Sequence, residues 1–587
     1  MAISPLENSE GVISVSVKAD GSEIDGENLV RADIDFTVNR LARARLAYID
    51  GDPGFKDFPL TDSKFKPGSK VEIAAGYGTA SPETLFKGIV VAQHLSITGD
   101  NNVELEVECL HEAVKMTLAR SNTVSEKAKD SDVVAKLIQK AGLSATVDST
   151  TPEFTKLVQF DATDWDFMLA RAEANGLVVV PTNDGVTVTA PDATQSATLV
   201  VTYGVDLIRF DGRVDARAQR AKAEAHTWDI QNQQATSQTA AAIAASEAGP
   251  GNLSPDTLAK ALDGDPALLQ TAATLTDSLS PWAKARQLRA GLAANRAEIA
   301  FPGSAKAVLG QTIELANLGD RFSGTAYIGA VRHEIRAGVW TTTVTTGIDP
   351  DTHADRHAIT SPDAAGLVAA MRGLQIGKVL KLEQDPDNLY RIEVTLPLLG
   401  DDQPGVWARL AGFYASNQFG GFWLPEIGDE VVVGFLNEDP AQAIVLGSLY
   451  NPKLTPPYEM QDKNNTKAVV TREKMKLEFD EENKKITVTT PANNQMIYDD
   501  SGKTITIQDE TGNKIELSPS GIQISSPKDI TIKADGNISM TATMNVDIKG
   551  MNVSASADTA FSASGNATAE LSGSASTTIK GGMVMIN

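Results

Sequence analysis

Cysteine, histidine and aromatic residues are scarce in this chain of 587 residues. Cys109 is the single cysteine, which excludes a disulfide framework and any metal site built from several cysteines. Only six histidines are present, and aromatic residues make up 5% of the chain. No apolar run reaches the roughly 18 residues that a membrane-spanning helix needs, so we expect neither such a span nor a signal peptide.

Positive charge is also in short supply. The chain has 52 Lys and Arg residues against 76 Asp and Glu residues, a formal net charge of -24. Proteins that bind nucleic acid gain their affinity from clustered basic side chains, so nucleic acid is not expected as a partner. The content of 42% hydrophobic and 22% charged residues is typical of a core-forming protein, and the length suffices for about three to five domains.

No group of residues in the sequence points to catalysis or to metal binding. Two His-Glu pairs, at 111–112 and 333–334, begin like a zinc-protease motif but lack the second histidine four residues after the first. His353 and His357 have the spacing of a helical metal site, but their polar surroundings favour a solvated loop. We therefore expect no enzymatic activity, no cofactor and no bound metal.

The first region, about 1–365, mixes strands and helices. Apolar and acidic side chains alternate over 103–109, a period of two that predicts a half-buried strand with Cys109 as a core thiol. Thr163 is expected to cap a helix that ends at Asn175-Gly176.

Helical insertions are predicted near 128–175 and 214–300. Within the second, the stretch 214–247 is rich in Ala, Gln and Glu, and we expect a long exposed helix there.

The second region, about 373–455, contains five short strand-like runs. They lie at 376–383, 389–396, 405–412, 429–437 and 442–449. Five such strands in about 75 residues predict a small barrel of the OB type. Between 375 and 455 there are five basic and eleven acidic residues, so a groove for a phosphate backbone is not expected.

The third region, from about 466, carries an eight-residue repeat. Gly, Ala, Ser and Thr make up 33 of the 67 residues of 521–587, yet pairs of apolar residues recur every eight positions. The predicted core positions are Ile522, Ile524, Ile530, Ile532, Ile538, Met540, Val546, Ile548, Val553, Phe561, Leu571 and Ile579.

Such a repeat is typical of a β-solenoid. Eight residues extend about 27 Å at most and cannot enclose a packed interior alone. Three chains that contribute one face each can do so, which predicts an intertwined homotrimeric needle. Single-chain or disordered states remain the alternative.

The chain ends in a short apolar run after two glycines. Met583, Val584, Met585 and Ile586 would form an exposed apolar platform at a blunt trimer end, so we expect a capping partner. The alternative is that these residues only complete the core of the needle.

Several stretches resemble a known family. Residues 422–435 (FWLPEIGDEVVVGF) and 446–451 (LGSLYN), followed by the octads, resemble the VgrG family of central spike proteins of contractile injection systems. That family includes the fused hub and needle proteins of contractile phage tails. Residues 85–90 (LFKGIV) and 164–177 (DWDFMLARAEANGL) are similar to parts of its hub domain. The resemblance covers nearly the whole chain and is weakest within 214–300.

The resemblance implies a mainly β fold with helical insertions and three domains. These are a hub at 1–365 with two barrel-like subdomains, an OB-fold collar at 373–455 and a trimeric, triple-stranded β-helix needle at 466–587. Only 455–465 separate collar and needle, which leaves no room for the lysozyme domain of some phage relatives. No effector enzyme follows the needle either, so we expect a bare spike.

The resemblance also implies partners and a location. The partners are the first ring of the inner tube protein, baseplate proteins, a PAAR-repeat tip protein and, in some relatives, a cargo effector. The particle would assemble in the bacterial cytoplasm and meet a target membrane only on penetration, when the spike is outside the cell or delivered into the target. The compact N-terminal region favours a phage-tail-like extracellular system over type VI secretion.

A different class of function is a trimeric fibre or adhesin that binds a cell-surface receptor. A secreted adhesin should carry a signal sequence, and none is recognisable.

Overall fold

The computed structural model describes residues 2–51, 57–79, 81–99, 103–272, 274–400 and 402–586. The chain folds as two units, Met1–Ser448 and Leu449–Asn587. Strands outnumber helices in both units, as the sequence predicts.

The N-terminal region of the first unit contains most of the regular structure. Its strands up to residue 202 are β1 (Ile13–Ala19), β2 (Ser22–Ile24), β3 (Leu29–Thr37), β4 (Arg43–Ile49), β5 (Lys70–Tyr77), β6 (Glu83–Ile97), β7 (Val103–Leu110), β8 (Arg120–Lys129), β9 (Ser144–Val147), β10 (Glu153–Thr163), β11 (Val178–Thr182), β12 (Gly185–Thr189) and β13 (Leu199–Thr202). The remaining strands of this region are β14 (Arg209–Val214), β15 (Lys222–Asp229), β16 (Gln234–Ala241), β17 (Ala267–Gln270), β18 (Asn295–Pro302), β19 (Thr312–Ala316), β20 (Gly324–Arg336) and β21 (Val339–Thr346). The α-helices are α1 (Pro59–Ser63), α2 (Asp130–Lys140), α3 (Asp164–Ala174), α4 (Ala245–Ala248), α5 (Pro255–Leu262), α6 (Leu279–Leu292), α7 (Gly319–Phe322) and α8 (His353–Arg356).

One large sheet of 13 strands runs through this region. Its order is β14-β18-β21-β20-β3-β4-β7-β6-β5-β1-β2, and β13 joins it through β19, which pairs with β20. The antiparallel pairing of β3 with β20, from Ala330↔Thr37 to Arg336↔Arg31, joins strands from the two ends of the region. The strands of the two expected barrel-like subdomains are therefore continuous in one sheet and share one hydrophobic core.

The strand predicted over 103–109 is present as β7. Leu105, Val107 and Cys109 are buried in the shared core, and the glutamates between them are half-exposed. Burial raises the pKa of the Cys109 thiol to about 12, so this cysteine is an unreactive core residue as predicted.

Helix α3 begins where the sequence predicts. The Thr163 hydroxyl accepts a hydrogen bond from the backbone N–H of Asp166 at 3.0 Å, and the helix ends before Asn175. Helices α2 and α3 share a small second core with β11 and β12.

The long helix expected at 214–247 was wrong. The chain forms the antiparallel hairpin β15–β16, with Gln233 at a φ of 50° in the turn. Ala223 and Ala225 are buried with period two against Ala283 of α6, because their small side chains let the helix approach the strand closely. Tertiary packing thus overrides the helix propensity of alanine.

The five predicted strands of the second region form a closed barrel. The strands of this part are β22 (Gln375–Lys381), β23 (Arg391–Thr395), β24 (Val406–Leu410), β25 (Ala415–Ser416), β26 (Phe419–Gly420), β27 (Glu430–Phe435) and β28 (Ala443–Ser448). The barrel order is β22-β23-β24-β28-β27, and β25–β26 is a separate small hairpin. Val394, Ala408 and Val445 are fully buried inside the barrel.

The second unit contains an antiparallel sheet in which every strand pairs with its neighbour in sequence. The seven strands are β29 (Thr466–Val470), β30 (Lys476–Asp480), β31 (Lys485–Thr489), β32 (Gln495–Asp499), β33 (Thr504–Gln508), β34 (Lys514–Ser518) and β35 (Gly521–Ser525). This pairing within one chain differs from the expected pairing of strands between chains over 466–525. After Ser525 the described part of the chain, as far as Ile586, contains neither helix nor strand.

Candidate functional site: the apolar face of the C-terminal sheet

The C-terminal sheet has one apolar face, which we call the apolar face throughout. It comprises Val469, Leu477, Phe479, Ile486, Val488, Met496, Tyr498, Ile505, Ile507, Ile515, Leu517, Ile522 and Ile524. These side chains are only partly covered in the single chain; Ile505, for example, is 36% exposed and Ile507 44%.

Cross-strand register arranges the apolar face in two columns. Ile507 lies opposite Met496 on one side and Ile515 on the other. In the neighbouring column, Ile505 lies between Tyr498 and Leu517. Directly opposite apolar pairs of this kind stabilise a sheet, yet Ile505 and Ile507 still expose more than a third of their side chains in the single chain. The result is a continuous apolar surface from β29 to β35.

The opposite face of the sheet is polar, and charged side chains on it form ion pairs with one another. Lys485 pairs with Asp499 across two strands at 2.9 Å, and Lys476 pairs with Glu478 at 3.2 Å. Burial, together with a hydrogen bond to the Glu478 carboxylate, raises the pKa of Tyr458 to about 12. Since these charges compensate one another, this face can remain in water.

The turns of the sheet follow a pattern that the sequence analysis missed. Each turn contains one residue with positive φ; these residues are Lys474, Lys484, Asn493, Lys503, Gly512 and Gly521. Each turn also begins with a residue whose side chain accepts a backbone N–H from within the turn; these are Thr471, Asp480, Thr490, Asp499, Asp509 and Ser518. Their spacing of nine or ten residues is the signal that predicts hairpins, because Thr, Asp and Ser side chains stabilise tight turns.

The octad residues continue the apolar face at its end. Ile524 and Ile530 line a concave surface of about 580 Å³ together with Met496, Ile507 and Ile515. The structure therefore brings Ile524 of the first octad and Ile530 of the second together at the end of the apolar face, while Ile532 and the later octad residues are 53–75% exposed in the single chain. Within one chain they enclose no core.

The residues of the predicted tip platform are exposed as well. Met583, Met585 and Ile586 are 80–88% exposed, and Val584 is half-exposed. The platform thus stays a prediction whose residues are accessible in the single chain.

A further group of exposed aromatic residues surrounds the β25–β26 hairpin of the barrel. Phe413, Tyr414, Phe419, Phe422 and Trp423 are each more than half exposed. No charged residue occurs from 411 to 425, so this surface is apolar and uncharged.

The histidines do not form a catalytic or metal-binding group. His111 and His333 are buried, and burial lowers the pKa of both. The expectation of a solvated loop was wrong for His353, whose Nε2 lies 2.8 Å from Oδ1 of Asp166 and whose ring packs on His357. Over the described ranges, no three His, Cys, Asp or Glu side chains are grouped as metal ligands would be.

None of the helices in the described part of the chain has the length and apolar character needed to cross a membrane.

Solved structures of tail proteins resemble the chain weakly. The 43 kDa tail protein of prophage MuSo2 from Shewanella oneidensis superposes with a TM-score of 0.43 at 12% identity, covering 58% of this chain and 98% of that one. The E. coli c3393 protein is a type VI secretion component with structural similarity to the T4 bacteriophage tail proteins gp27 and gp5. It superposes with a TM-score of 0.36 at 12% identity, covering 74% of this chain and 99% of that one.

Curated relatives match only a short part of the chain. The type VI secretion system spike protein VgrG3 of Vibrio cholerae serotype O1 is 36% identical over 91 residues, 15% of this chain and 9% of that protein. VgrG5 of Pseudomonas aeruginosa is 41% identical over 69 residues, 12% and 9% of the two chains. The actin cross-linking toxin VgrG1 of Vibrio cholerae is 40% identical over 74 residues, which are 13% of this chain and 7% of that protein. The match thus spans less than a tenth of each relative.

Two family models match the chain. The Alg8 N-terminal domain matches residues 9–337, more than half of the chain. The type VI secretion system/phage-baseplate injector OB domain matches residues 375–450, which contain all five barrel strands. The chain therefore belongs to the family of the Alg8 N-terminal domain, and over a short part of its length it is similar to VgrG spike proteins of type VI secretion systems.

Proposed function

We propose that this protein is the homotrimeric central spike of a contractile injection system, with a hub, an OB collar and a needle. Its role is structural: it joins the inner tube to a tip that penetrates the target envelope. The observation that carries this proposal is the apolar face together with the octads that follow it. Thirteen large apolar side chains in two regular columns, left uncovered in one chain, require further copies to cover them.

We infer three copies from the octads that follow the sheet, because eight residues cannot enclose a core alone whereas one face from each of three chains can. A sheet of five-residue strands is about 17 Å wide, too narrow to wrap around its own apolar face. Three such sheets around a threefold axis enclose a core and satisfy the closed symmetry that most homo-oligomers have. Removing the remaining exposed area of each apolar side chain from water would then stabilise the trimer by roughly 1 kcal/mol per side chain.

The proposed partners follow from the same architecture. The hub contacts the first ring of the inner tube and baseplate proteins, and a small PAAR-repeat protein caps Met583–Ile586. A cargo effector is a further partner of such spikes. The net charge of -24 opposes binding to a nucleic-acid backbone.

The proposed activity is mechanical and not enzymatic. The titratable groups with displaced pKa values are explained by burial, ion pairs or turns: His333 is buried in the hub, and Asp385 pairs with Arg391. The particle assembles in the bacterial cytoplasm and carries the spike outward on firing, with the extracellular type of system as the favoured one.

Two measurements test the proposal: mass photometry gives the number of copies, and electron microscopy gives the position of the chain in the particle. Mass photometry of the full chain should give three times 62.2 kDa, and a chain ending at residue 465 should be monomeric. Electron microscopy of particles from the producing cell should then show the labelled chain on the axis at the baseplate end of sheathed tubes. A monomeric full chain, or a trimer found on unsheathed fibres, would overturn the proposal.

A further inference from the structure

The first unit contains a cleft of about 820 Å³, here called the α3–α6 cleft. It lies between α3 and α6 and is closed at its ends by the loop before β15, the start of β17 and helix α8. Its charged lining residues are Arg217, Arg220, Arg286, Arg289, Glu173, Asp351 and Asp355. Its size falls within the range of ligand-binding pockets in proteins.

Two of the four arginines are neutralised. Arg289 donates to Glu173 at 2.6 Å, and both side chains are more than nine-tenths buried. Arg217 pairs with Asp215 at 2.7 Å. These two guanidinium groups have a carboxylate partner and contribute little net charge to the cleft.

The other two arginines, Arg220 and Arg286, form no ion pair with a carboxylate among the described residues. Arg220 Nη1 donates to the carbonyls of Arg217 and Gln219 at 3.0 and 2.7 Å, and Arg286 Nη1 donates to the carbonyl of Pro350 at 3.4 Å. A guanidinium has five N–H donors, so both groups keep donors available.

Both aspartates of the cleft have hydrogen-bond partners on or beside α8, and Asp355 also lies within the electrostatic influence of Arg286. Asp351 accepts from Arg356 at 3.1 Å, and Asp355 caps α8 through Thr352. Burial raises the pKa of Asp355, but the hydrogen bonds from Thr352 and the charges of Arg286 and Arg289 outweigh it and leave this pKa below its ordinary value. The seven charged side chains that line the cleft are four arginines and three carboxylates, and the remaining N–H donors of Arg220 and Arg286 are available to a carboxylate ligand.

An apolar wall lies beside the two arginines. Trp282 of α6 and Leu269 of β17 line the same cleft, with Pro266 at its edge. Gly264 lies against Arg220: a Cβ at this position would lie 3.2 Å from Arg220 Nε. The glycine thus leaves room for the guanidinium to lie flat at the rim of the cleft.

We propose that the α3–α6 cleft binds an acidic segment of a partner protein, in which a carboxylate side chain lies next to an apolar one. Arg220 and Arg286 would receive the carboxylates, since guanidinium and carboxylate pair through two parallel hydrogen bonds. Trp282 and Leu269 would receive the apolar side chain. A small inorganic anion fits poorly, because it would use neither the apolar wall nor most of the volume. This inference goes beyond the proposed spike role and does not depend on it.

The test uses the full chain and a fluorescein-labelled probe peptide, Ac-ELDFE-NH2, in a fluorescence anisotropy titration. We expect the probe to bind with a Kd below about 100 µM, weakening as salt is added. Arg220→Gln combined with Arg286→Gln should raise the Kd at least about tenfold. Ala354→Trp, a substitution of an exposed residue that lines the cleft, should block binding by bulk without altering either arginine.

Matched controls make the outcome decisive. Arg336→Gln removes an exposed arginine that likewise forms no ion pair among the described residues but lies on β20, outside the cleft; it should leave the Kd unchanged. The lysine analogue Ac-KLKFK-NH2 should not compete. The inference is overturned if the acidic probe does not bind at 1 mM, if the double variant binds it as the natural sequence does, or if acetate alone displaces it completely.

Discussion

Ile507 and Gln508 are adjacent residues of β33 that project to opposite faces of the C-terminal sheet. Ile507 belongs to the apolar face, and Gln508 lies on the polar face opposite Lys514. Substituting one or the other of these neighbours by aspartate therefore places a carboxylate on the apolar face or on the polar face.

Ile507→Asp should destabilise the trimer, because three carboxylates would be buried close to one another. The expected cost is on the order of 3 kcal/mol per chain, seen as dissociation in sedimentation and as a lowered thermal midpoint. Gln508→Asp should leave the trimer intact, since its carboxylate meets Lys514 and water. An equally stable trimer for Ile507→Asp would contradict the placement of the apolar face at the interface.

Asp509 makes the stability of its turn sensitive to acid. Hydrogen bonds from the Asn513 and Thr511 side chains and backbone lower its pKa from 3.8 to about 2. A carboxyl whose folded pKa is depressed stabilises the fold above its unfolded pKa, and this stabilisation is lost as the pH falls through the folded value. Between pH 4 and 2, the thermal midpoint should fall more in the natural sequence than in Asp509→Asn. Parallel curves would show that the carboxylate does not stabilise the turn.

At the scale of the element, the hairpin turns fix the C-terminal sheet. Gly512 has a φ of 93°, and a Cβ there would make only an ordinary contact with Pro527 Cγ at 3.9 Å, so backbone strain is the main obstacle to a side chain. Lys503, at the corresponding place one turn earlier, has a φ of 54°. A substitution at Gly512 therefore adds a side chain at a positive φ, and one at Lys503 removes a side chain from a positive φ.

Gly512→Ala should lower the free energy of unfolding by about 1–2 kcal/mol, the cost of a Cβ in the left-handed region. Lys503→Gly, which relieves such strain but adds freedom to the unfolded chain, should change it by less than about 1 kcal/mol. Denaturant titrations of the two variants measure both values. Equal destabilisation by the two substitutions would show that the turn conformation is not the limiting factor.

At the scale of the whole molecule, each unit exposes apolar surface that a single chain cannot cover. In the first unit it surrounds the hairpin of the OB barrel, and in the second it extends from β29 to the last described residues. We therefore expect the chain to work as a subunit of an assembly, as in the proposed spike.

Deleting 581–587 should separate trimer formation from capping. The octads through Ile579 remain, so the variant should stay a heat-stable trimer, while it should lose the PAAR-repeat protein in a pull-down. Removing the platform eliminates apolar contact worth about 25 cal/mol per Å². Undiminished capture of the tip protein would show that Met583–Ile586 only complete the needle.

The sequence by itself determined those features in which a short period or a local cap decides the structure. Alternation over 103–109 places Cys109 in the core, Thr163 begins α3, and the five runs of 376–449 form the barrel strands. The octads after 521 likewise mark apolar positions, although one chain cannot bury them.

Tertiary structure decided what depends on residues far apart in sequence. Alanines at 223 and 225 form a strand because α6 packs on them, and His353 is held by Asp166, 187 residues earlier. The single 13-stranded sheet depends on the pairing of β3 with β20, and the α3–α6 cleft on five separate segments. Propensity and periodicity describe only neighbours along the chain, whereas these features arise from contacts that the folded chain alone brings together.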